Sequence, residues 1–319
     1  MSDHVRIGVL GCSAFAVRRM LPAFAAGPGL EVVAIASRSP ERAEPVARRF
    51  GGDPVQGYAA LLERDDVDAV YVPLPAALHA EWVEAALDAG KHVLAEKPLS
   101  ADAAQTGRLL ALARQRGLAL VENVLFVHHP QHEAVRRLVT DGAIGELRSL
   151  SAEFGIPAPT DTDIRHRAEL GGGSLADVGI YPLRSALHFL GPGIEVVGAR
   201  LVRGRGREVE TSGAVLLTSP EGVVAQLTFG MDHGYLSRYE LWGSEGRITV
   251  DRAYTPPADF PPAVVLHRDG GREDIRLEPF DQVAAAVAGF VAAVRTGTVG
   301  HEATLRQAEL LDDIRRRAG

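Results

Sequence analysis

Three clusters of side chains in this sequence could do chemistry. Glu96-Lys97-Pro98 closes the apolar run HVLAE at 92–96. A lysine fixed between a buried strand and a proline has either a partner or a substrate oxygen to meet, or it is a surface charge opening a turn; Glu96 stands where it can orient it. Asp177-Val-Gly-Ile-Tyr181 follows Gly171-Gly172-Gly173, and a spacing of four puts Asp177 and Tyr181 on one helical face. A phenol within reach of an ammonium group can give a proton to an alkoxide that forms as a hydride arrives. The alternative for Tyr181 is an aromatic on the inner face of an amphipathic helix. His128, His129 and His132 make the third cluster, but Pro130 interrupts it and no carboxylate or cysteine ligand set is legible nearby, so no metal is expected. These histidines begin a helix over 130–141 or face a substrate pocket.

The elements that must position these groups fall into two rhythms. From Val5 to about Asn123, apolar runs at 5–10, 30–37, 68–72, 92–96 and 118–123 alternate with helical stretches near 15–26, 40–50, 79–89 and 102–116. Nearly continuous apolar strands between helices imply a parallel sheet covered on both faces. Ser39 before Pro40 reads as an N-cap, and Ser100 or Asp102 caps the helix after Pro98. Pro22 and Pro45 should kink or shorten their helices. Beyond Asn123 come the 130–141 helix, a strand near 146–155 and an apolar helix from about Asp177 to Leu190. Strands follow at 195–203, 209–218, 223–230, 236–242, 247–252, 263–268 and 273–277, then helices near 281–296 and 301–317. Consecutive strands joined by Gly, Pro and Ser-Pro turns imply a largely antiparallel sheet. The expected fold is therefore an α/β Rossmann domain over 1–123 and an α+β domain with an open, largely antiparallel sheet over 124–319.

The first strand runs into Gly11-Cys12-Ser13-Ala14, a strand-turn-helix context in which small residues let the backbone approach a pyrophosphate at a helix N-terminus. The fingerprint is altered: with Gly11 as the first glycine of G-x-G-x-x-G/A, the second is Ser13 and the third Ala16. The alternative is a merely tight turn. The second strand ends in Ser37-Arg38-Ser39, with Arg42 beyond, where an NAD site would offer an acid to the ribose 2′-hydroxyl. Serine hydroxyls and arginines suit a 2′-phosphate instead, so NADP(H) is expected; a solvated arginine at a helix head is the other reading. Pro73-Leu74-Pro75 and Glu96-Lys97 lie at carboxyl strand ends, where open α/β sheets place ligands. His79 caps the next helix or touches cofactor.

Composition narrows the partners. The 41 acidic residues outnumber the 34 lysines and arginines, for a formal charge of −7, which argues against a nucleic-acid polymer. No apolar segment approaches the ~18 residues of a membrane span, and MSDHVRIGVLG has no basic stretch followed by a long apolar run, so no signal peptide is expected. With Cys12 alone, no internal disulfide is possible, and a reducing, cytoplasmic setting is the simpler expectation.

The order of these motifs across essentially the whole chain resembles the Gfo/Idh/MocA oxidoreductase family, with Glu96-Lys97-Pro98 its most specific part. Asn123-Val-Leu-Phe-Val-His-His-Pro-Gln-His132 and Ile164-Arg165…Asp177-Val-Gly-Ile-Tyr-Pro182 look most like the NADPH-dependent 3-ketoreductases of nucleotide-linked keto-deoxysugars in antibiotic sugar biosynthesis. The resemblance implies that Lys97 polarises a substrate carbonyl, Tyr181 supplies its proton and Arg165 lies near the nicotinamide. Phe126, His128 and Asp177 join Tyr181 on the substrate side. Two departures stand out: Ser13 replaces a cofactor glycine, and Tyr181 stands where many members have histidine. Tyrosine there also occurs in relatives resembling dihydrodiol and aldose dehydrogenases, so an oxidative NADP-dependent enzyme is the first alternative. A cofactor-sensing regulator is the second. A homodimer or homotetramer paired through the broad sheet is expected by the same analogy.

Overall fold

Five of the six strands in the first sheet are the apolar runs read above. A computed structural model describes residues 4–299 and 302–318; residues 1–3, 300, 301 and 319 lie outside it, and with them the expected first residue, 301, of the last helix. The strands are β1 (Val5–Leu10), β2 (Leu30–Ser37), β3 (Asp53–Gln56), β4 (Ala69–Val72), β5 (His92–Glu96) and β6 (Leu120–Asn123). They run parallel in the order β3-β2-β1-β4-β5-β6, and β1, β4 and β5 are almost wholly buried. Strand β3 and the helix Tyr58–Leu62 were not expected. With sequence DPVQ and little burial, β3 is a polar edge strand without the apolar run that betrays an inner one.

Helix starts follow local chemistry. Asp102 caps helix Ala103–Arg116 by accepting from the Gln105 amide at 2.8 Å. Ser39 occupies the N-cap of helix Pro40–Phe50 without a side-chain cap; its hydroxyl donates to Glu41 instead. Pro45 does not shorten that helix, which continues to Phe50. Pro22 sits just after a π-turn, Ala16–Met20, in the first turn of Leu21–Ala26. The widened turn accommodates a residue that has no N–H to give.

The second sheet has eight strands: β7 (Leu147–Gly155), β8 (Glu195–Arg203), β9 (Glu210–Thr218), β10 (Val224–Gly230), β11 (Leu236–Gly243), β12 (Gly246–Asp251), β13 (Ala263–Arg268) and β14 (Gly271–Arg276). The order is β14-β13-β12-β11-β7-β10-β9-β8, and only β7 with β10 is parallel. Burial alternates along β9, β10 and β11, as expected of a sheet covered on one face. Helix Ile180–Leu190, buried at Leu183, Ala186 and Leu187, belongs to the covering layer.

The chain divides into two units, Met1–Val124 with Val283–Leu305, and Leu125–Gln282 with Arg306–Gly319. This corrects the assignment of all of 124–319 to the second domain. Helix Gln282–Thr296 packs on the first unit: Val287 and Val291 come within 3.4 and 3.6 Å of where Gly27 and Gly29 would carry a Cβ, and Val299 bridges to Leu120. Among the described residues no helix is long and apolar enough to cross a membrane.

Candidate active site

In the first unit, the residues singled out at the ends of β1 and β2 lie together. Gly11 has φ +113°, and a Cβ there would stand 2.9 Å from Leu74 Cδ2; glycine is the residue that tolerates both. Ser13 takes over a structural task, its Oγ accepting from the Ala16 amide at 3.1 Å. The exposed Ala14 begins the helix, whose first amides have no intrahelical acceptor. Arg42 donates to the Cys12 carbonyl at 3.3 Å, tying the helix after β2 to this turn. Burial raises the Cys12 thiol pKa, with Arg42 opposing. Ser37 is buried and its Oγ accepts from the Ser39 amide at 3.3 Å. No carboxylate ends β2; the nearest in sequence, Glu41, is held by Ser39. These residues fit a dinucleotide with a 2′-phosphate: a small-residue turn at a helix start, and Arg38 and Arg42 beside the β2 end.

Tyr58 was missed by sequence reasoning. Its hydroxyl lies 3.7 Å from the position a Gly11 Cβ would take and hydrogen-bonds with Arg38. Its ring meets Trp82 edge-on at 5.0 Å. Burial raises the Tyr58 pKa, with Arg38 opposing. The only signal was its place just past a Gly, on a helix too short to announce itself.

At the ends of β4, β5 and β6 a polar network supports the lysine motif. Glu96 Oε1 accepts from the Tyr71 hydroxyl and from Asn123 Nδ2, both at 2.7 Å. Tyr71 is fully buried and Asn123 nearly so. Burial raises the Glu96 pKa, while Asn123, Tyr71 and the neighbouring Lys97 pull it down. The carboxyl is therefore held by the flanking strands as well as by its place beside Lys97. Lys97 is half-buried and precedes a cis peptide to Pro98. The other lysine, Lys91, is bound to the carbonyls of Arg64 and Val67 at 2.7 and 2.9 Å. With only these two lysines in the chain, 32 of the 34 basic residues are arginine.

His79 is a correction. Its ring is buried with Nδ1 2.7 Å from the Pro98 carbonyl and Nε2 2.8 Å from that of Leu74. Both nitrogens are committed to backbone, so it clasps the loops after β4 and β5 rather than touching cofactor. Burial lowers its pKa. Pro73 and Leu74 are buried in the clasped loop.

In the second unit, Arg165 Nε donates to Asp177 at 2.6 Å and its Nη1 reaches Asp163 at 3.2 Å. The charge of Asp177 raises the Arg165 pKa, opposed by burial. The glycine triplet makes this possible. Gly172 and Gly173 donate to the carbonyls of Arg167 and Arg165, each at 3.0 Å, and a Cβ on Gly172 would stand 2.5 Å from the Arg165 oxygen. Tyr181 is half-buried on a floor of rings: Phe154 at 4.9 Å, Tyr254 at 5.7 Å and Phe126 at 5.9 Å between centroids. Phe126 is itself buried, which corrects its reading as a substrate contact: it backs Tyr181. Half-buried His128 ends a short 3₁₀ turn, Leu125–His128. His129 caps helix Pro130–Thr140, and buried His132 sits 3.0 Å from the Tyr239 hydroxyl, away from solvent.

A doubly wound parallel sheet in the order 3-2-1-4-5-6, with a small-residue turn after β1 and a lysine at the end of β5, defines a Rossmann-type oxidoreductase. A family model described as an oxidoreductase family with an NAD-binding Rossmann fold matches residues 5–124, and one for the GFO/IDH/MocA C-terminal domain matches residues 132–249. The chain belongs to the Gfo/Idh/MocA oxidoreductase family. It is 53% identical to a dTDP-3,4-didehydro-2,6-dideoxy-alpha-D-glucose 3-reductase from Actinomadura kijaniata, over 98% of this chain and 96% of that one. It is 55% identical to a protein of the same name from Streptomyces violaceoruber, over 98% and 95%. A crystal structure of a 3-ketoreductase from Actinomadura kijaniata, in complex with NADP and TDP-benzene, superposes with a TM-score of 0.97. It is 52% identical and covers 99% of this chain and 98% of that one.

Proposed function

We propose that the protein is an NADPH-dependent ketoreductase acting on C3 of a nucleotide-linked keto-deoxysugar. The observation that carries this reading is near full-length similarity to reductases of that name, in a chain that has Glu96-Lys97-Pro98 at the end of β5 and Tyr181 on an aromatic floor. When bound, the cofactor supplies the hydride. Arg38, Arg42 and Ser37 hold its 2′-phosphate, with Ser39 occupied by Glu41. The Lys97 ammonium polarises the ketone and stabilises the developing alkoxide, and the Tyr181 hydroxyl protonates it. Arg165, fixed by Asp163 and Asp177, offers a charge of set orientation near the nicotinamide, and Asp177 and His128 belong to the substrate side.

A second copy pairs on the uncovered face of the eight-stranded sheet. Leu216, Val224 and Trp242 are exposed there toward one end of the sheet, and exposed large apolar side chains grouped in this way are a liability in a monomer. Sedimentation of Trp242→Glu against wild type reads this directly, with a lighter species expected.

Turnover of a dTDP-linked 3-keto-deoxysugar with NADPH, compared with NADH, tests the reaction. Lys97→Ala and Tyr181→Phe should each lower kcat on the order of 10²-fold or more while NADPH affinity stays within a few-fold. Undiminished turnover in either variant defeats the assignment.

A further inference from the structure

The second unit carries an arginine that the catalytic reading does not use. Arg252, just after β12, has φ +53°, a backbone conformation that a non-glycine residue adopts at a cost and that clusters at functional positions. Its guanidinium carbon lies 5.1 Å from the centre of the Tyr235 ring and 5.9 Å from that of Phe260, both within cation–π range. The Tyr235 hydroxyl is 3.2 Å from that of Thr255, steadying the platform. Arg252 is exposed.

Arg165, Arg167, Arg207, Arg238, Arg247 and Arg272 in the same unit all pair with carboxylates; Arg252 makes no ion pair among the described residues. The adjacent carboxylate, Asp251, lies in the fields of Arg238 and Arg272. An exposed guanidinium flanked by two rings and without an ion pair among the described residues offers a donor fork suited to two phosphate oxygens at once.

Location ties the group to the candidate site. Two residues on, Tyr254 is buried with its ring 5.7 Å from Tyr181 and 5.2 Å from Phe154. Leu236, next to Tyr235, pairs with Gly155, the last residue of β7, and Arg238 pairs with Asp251. Tyr235, Arg252 and the floor under Tyr181 thus share one end of the sheet. We propose that the Tyr235–Arg252–Phe260 stack is the subsite for the diphosphate of a nucleotide-linked substrate, with its sugar directed toward Tyr181. This rests on the reading of the substrate class given above.

Calorimetric titration of the protein with thymidine diphosphate, without turnover, tests it. Arg252→Gln should weaken thymidine diphosphate on the order of 10- to 100-fold and leave NADPH affinity and Tm unchanged. Arg252→Lys, which keeps the charge and loses the fork, should fall between. Wild-type affinity in Arg252→Gln overturns the subsite and leaves the proposed reaction standing. If the wild-type protein takes up no thymidine diphosphate at all, the subsite and the nucleotide-linked substrate fall together.

Discussion

Tyr71→Phe isolates one hydrogen bond in the network beneath Lys97. The tyrosine ring is fully buried and meets Phe24 edge-on at 5.3 Å, so phenylalanine keeps the packing and removes only the hydroxyl that donates to Glu96 at 2.7 Å. Burial holds the tyrosine pKa well above its usual value, so the hydroxyl remains a donor at all ordinary pH. A hydrogen bond to a charged acceptor contributes about 1.5–3 kcal/mol. Losing this one should move the Glu96 pKa further up, because the Tyr71 hydrogen bond lowers it. The sign for stability follows. Because the folded-state pKa of Glu96 is raised from 4.5 by burial, the folded chain binds this proton more tightly than the unfolded one. The contribution of Glu96 to stability is complete below about 4.5 and is lost as pH rises through the folded value. Tyr71→Phe extends that decline upward, so the deficit relative to wild type should be larger at about pH 8 than at about pH 5. The added deficit should be roughly 1.5–3 kcal/mol, or on the order of 5 °C in Tm for a unit of this size. Thermal melts of both proteins at both pH values read it. Equal deficits would refute the coupling between Tyr71 and an ionised Glu96.

Three further outcomes follow from the geometry. Arg38→Glu should reverse the preference for NADPH over NADH by replacing a 2′-phosphate partner with a repelling carboxylate; a fluorescence titration showing an unchanged ratio of affinities would place the phosphate elsewhere. Burial lowers the His129 pKa from 6.5 to about 4, so its contribution is complete above about 6.5 and is lost as pH falls toward 4. Denaturant midpoints should drop across that window, and the drop should shrink in His129→Asn, which keeps the N-cap. Gly172→Ala drives a Cβ into the Arg165 carbonyl and should displace Arg165 from Asp177. It should raise KM with a melting loss of only a few degrees; native KM would dissociate the triplet from the site.

The fold was legible because its strands are either nearly continuous apolar runs or alternating ones, and both patterns survive without tertiary information. What escaped was set by tertiary packing. Strand β3 is four polar residues paired only at the sheet edge. Helix Gln282–Thr296 is apolar in a way that marks burial, yet nothing in its own residues says which unit it joins. The site divided similarly. Lys97 stood out because a charged residue between a strand and a proline violates the local pattern. Tyr71 did not, because a tyrosine inside AVYV reads as core until the register sets Glu96 and Asn123 side by side. His79 and Phe126 were over-read for the converse reason: histidine and phenylalanine near a motif look functional until both ring nitrogens, or the whole ring, prove to be enclosed.

Lys97→Arg separates charge from shape at the proposed electrophile. The chain carries 32 of its 34 basic residues as arginine and ties its other lysine to two backbone carbonyls, so a lysine at the end of β5 is a specific choice of cation. The positive charge of Lys97 acts on both buried neighbours, lowering the pKa of Glu96 and of His79, and arginine would preserve that field. It would not preserve the compact ammonium, whose three donors turn on a flexible stem to follow a carbonyl oxygen as it becomes an alkoxide; a planar fork suits carboxylate and phosphate instead. Lys97→Arg should therefore keep Tm and NADPH affinity near wild type while kcat falls on the order of 10²-fold. A variant that turned over at the wild-type rate would mean that position 97 supplies only a field, and proton and charge handling would have to rest on Tyr181 alone.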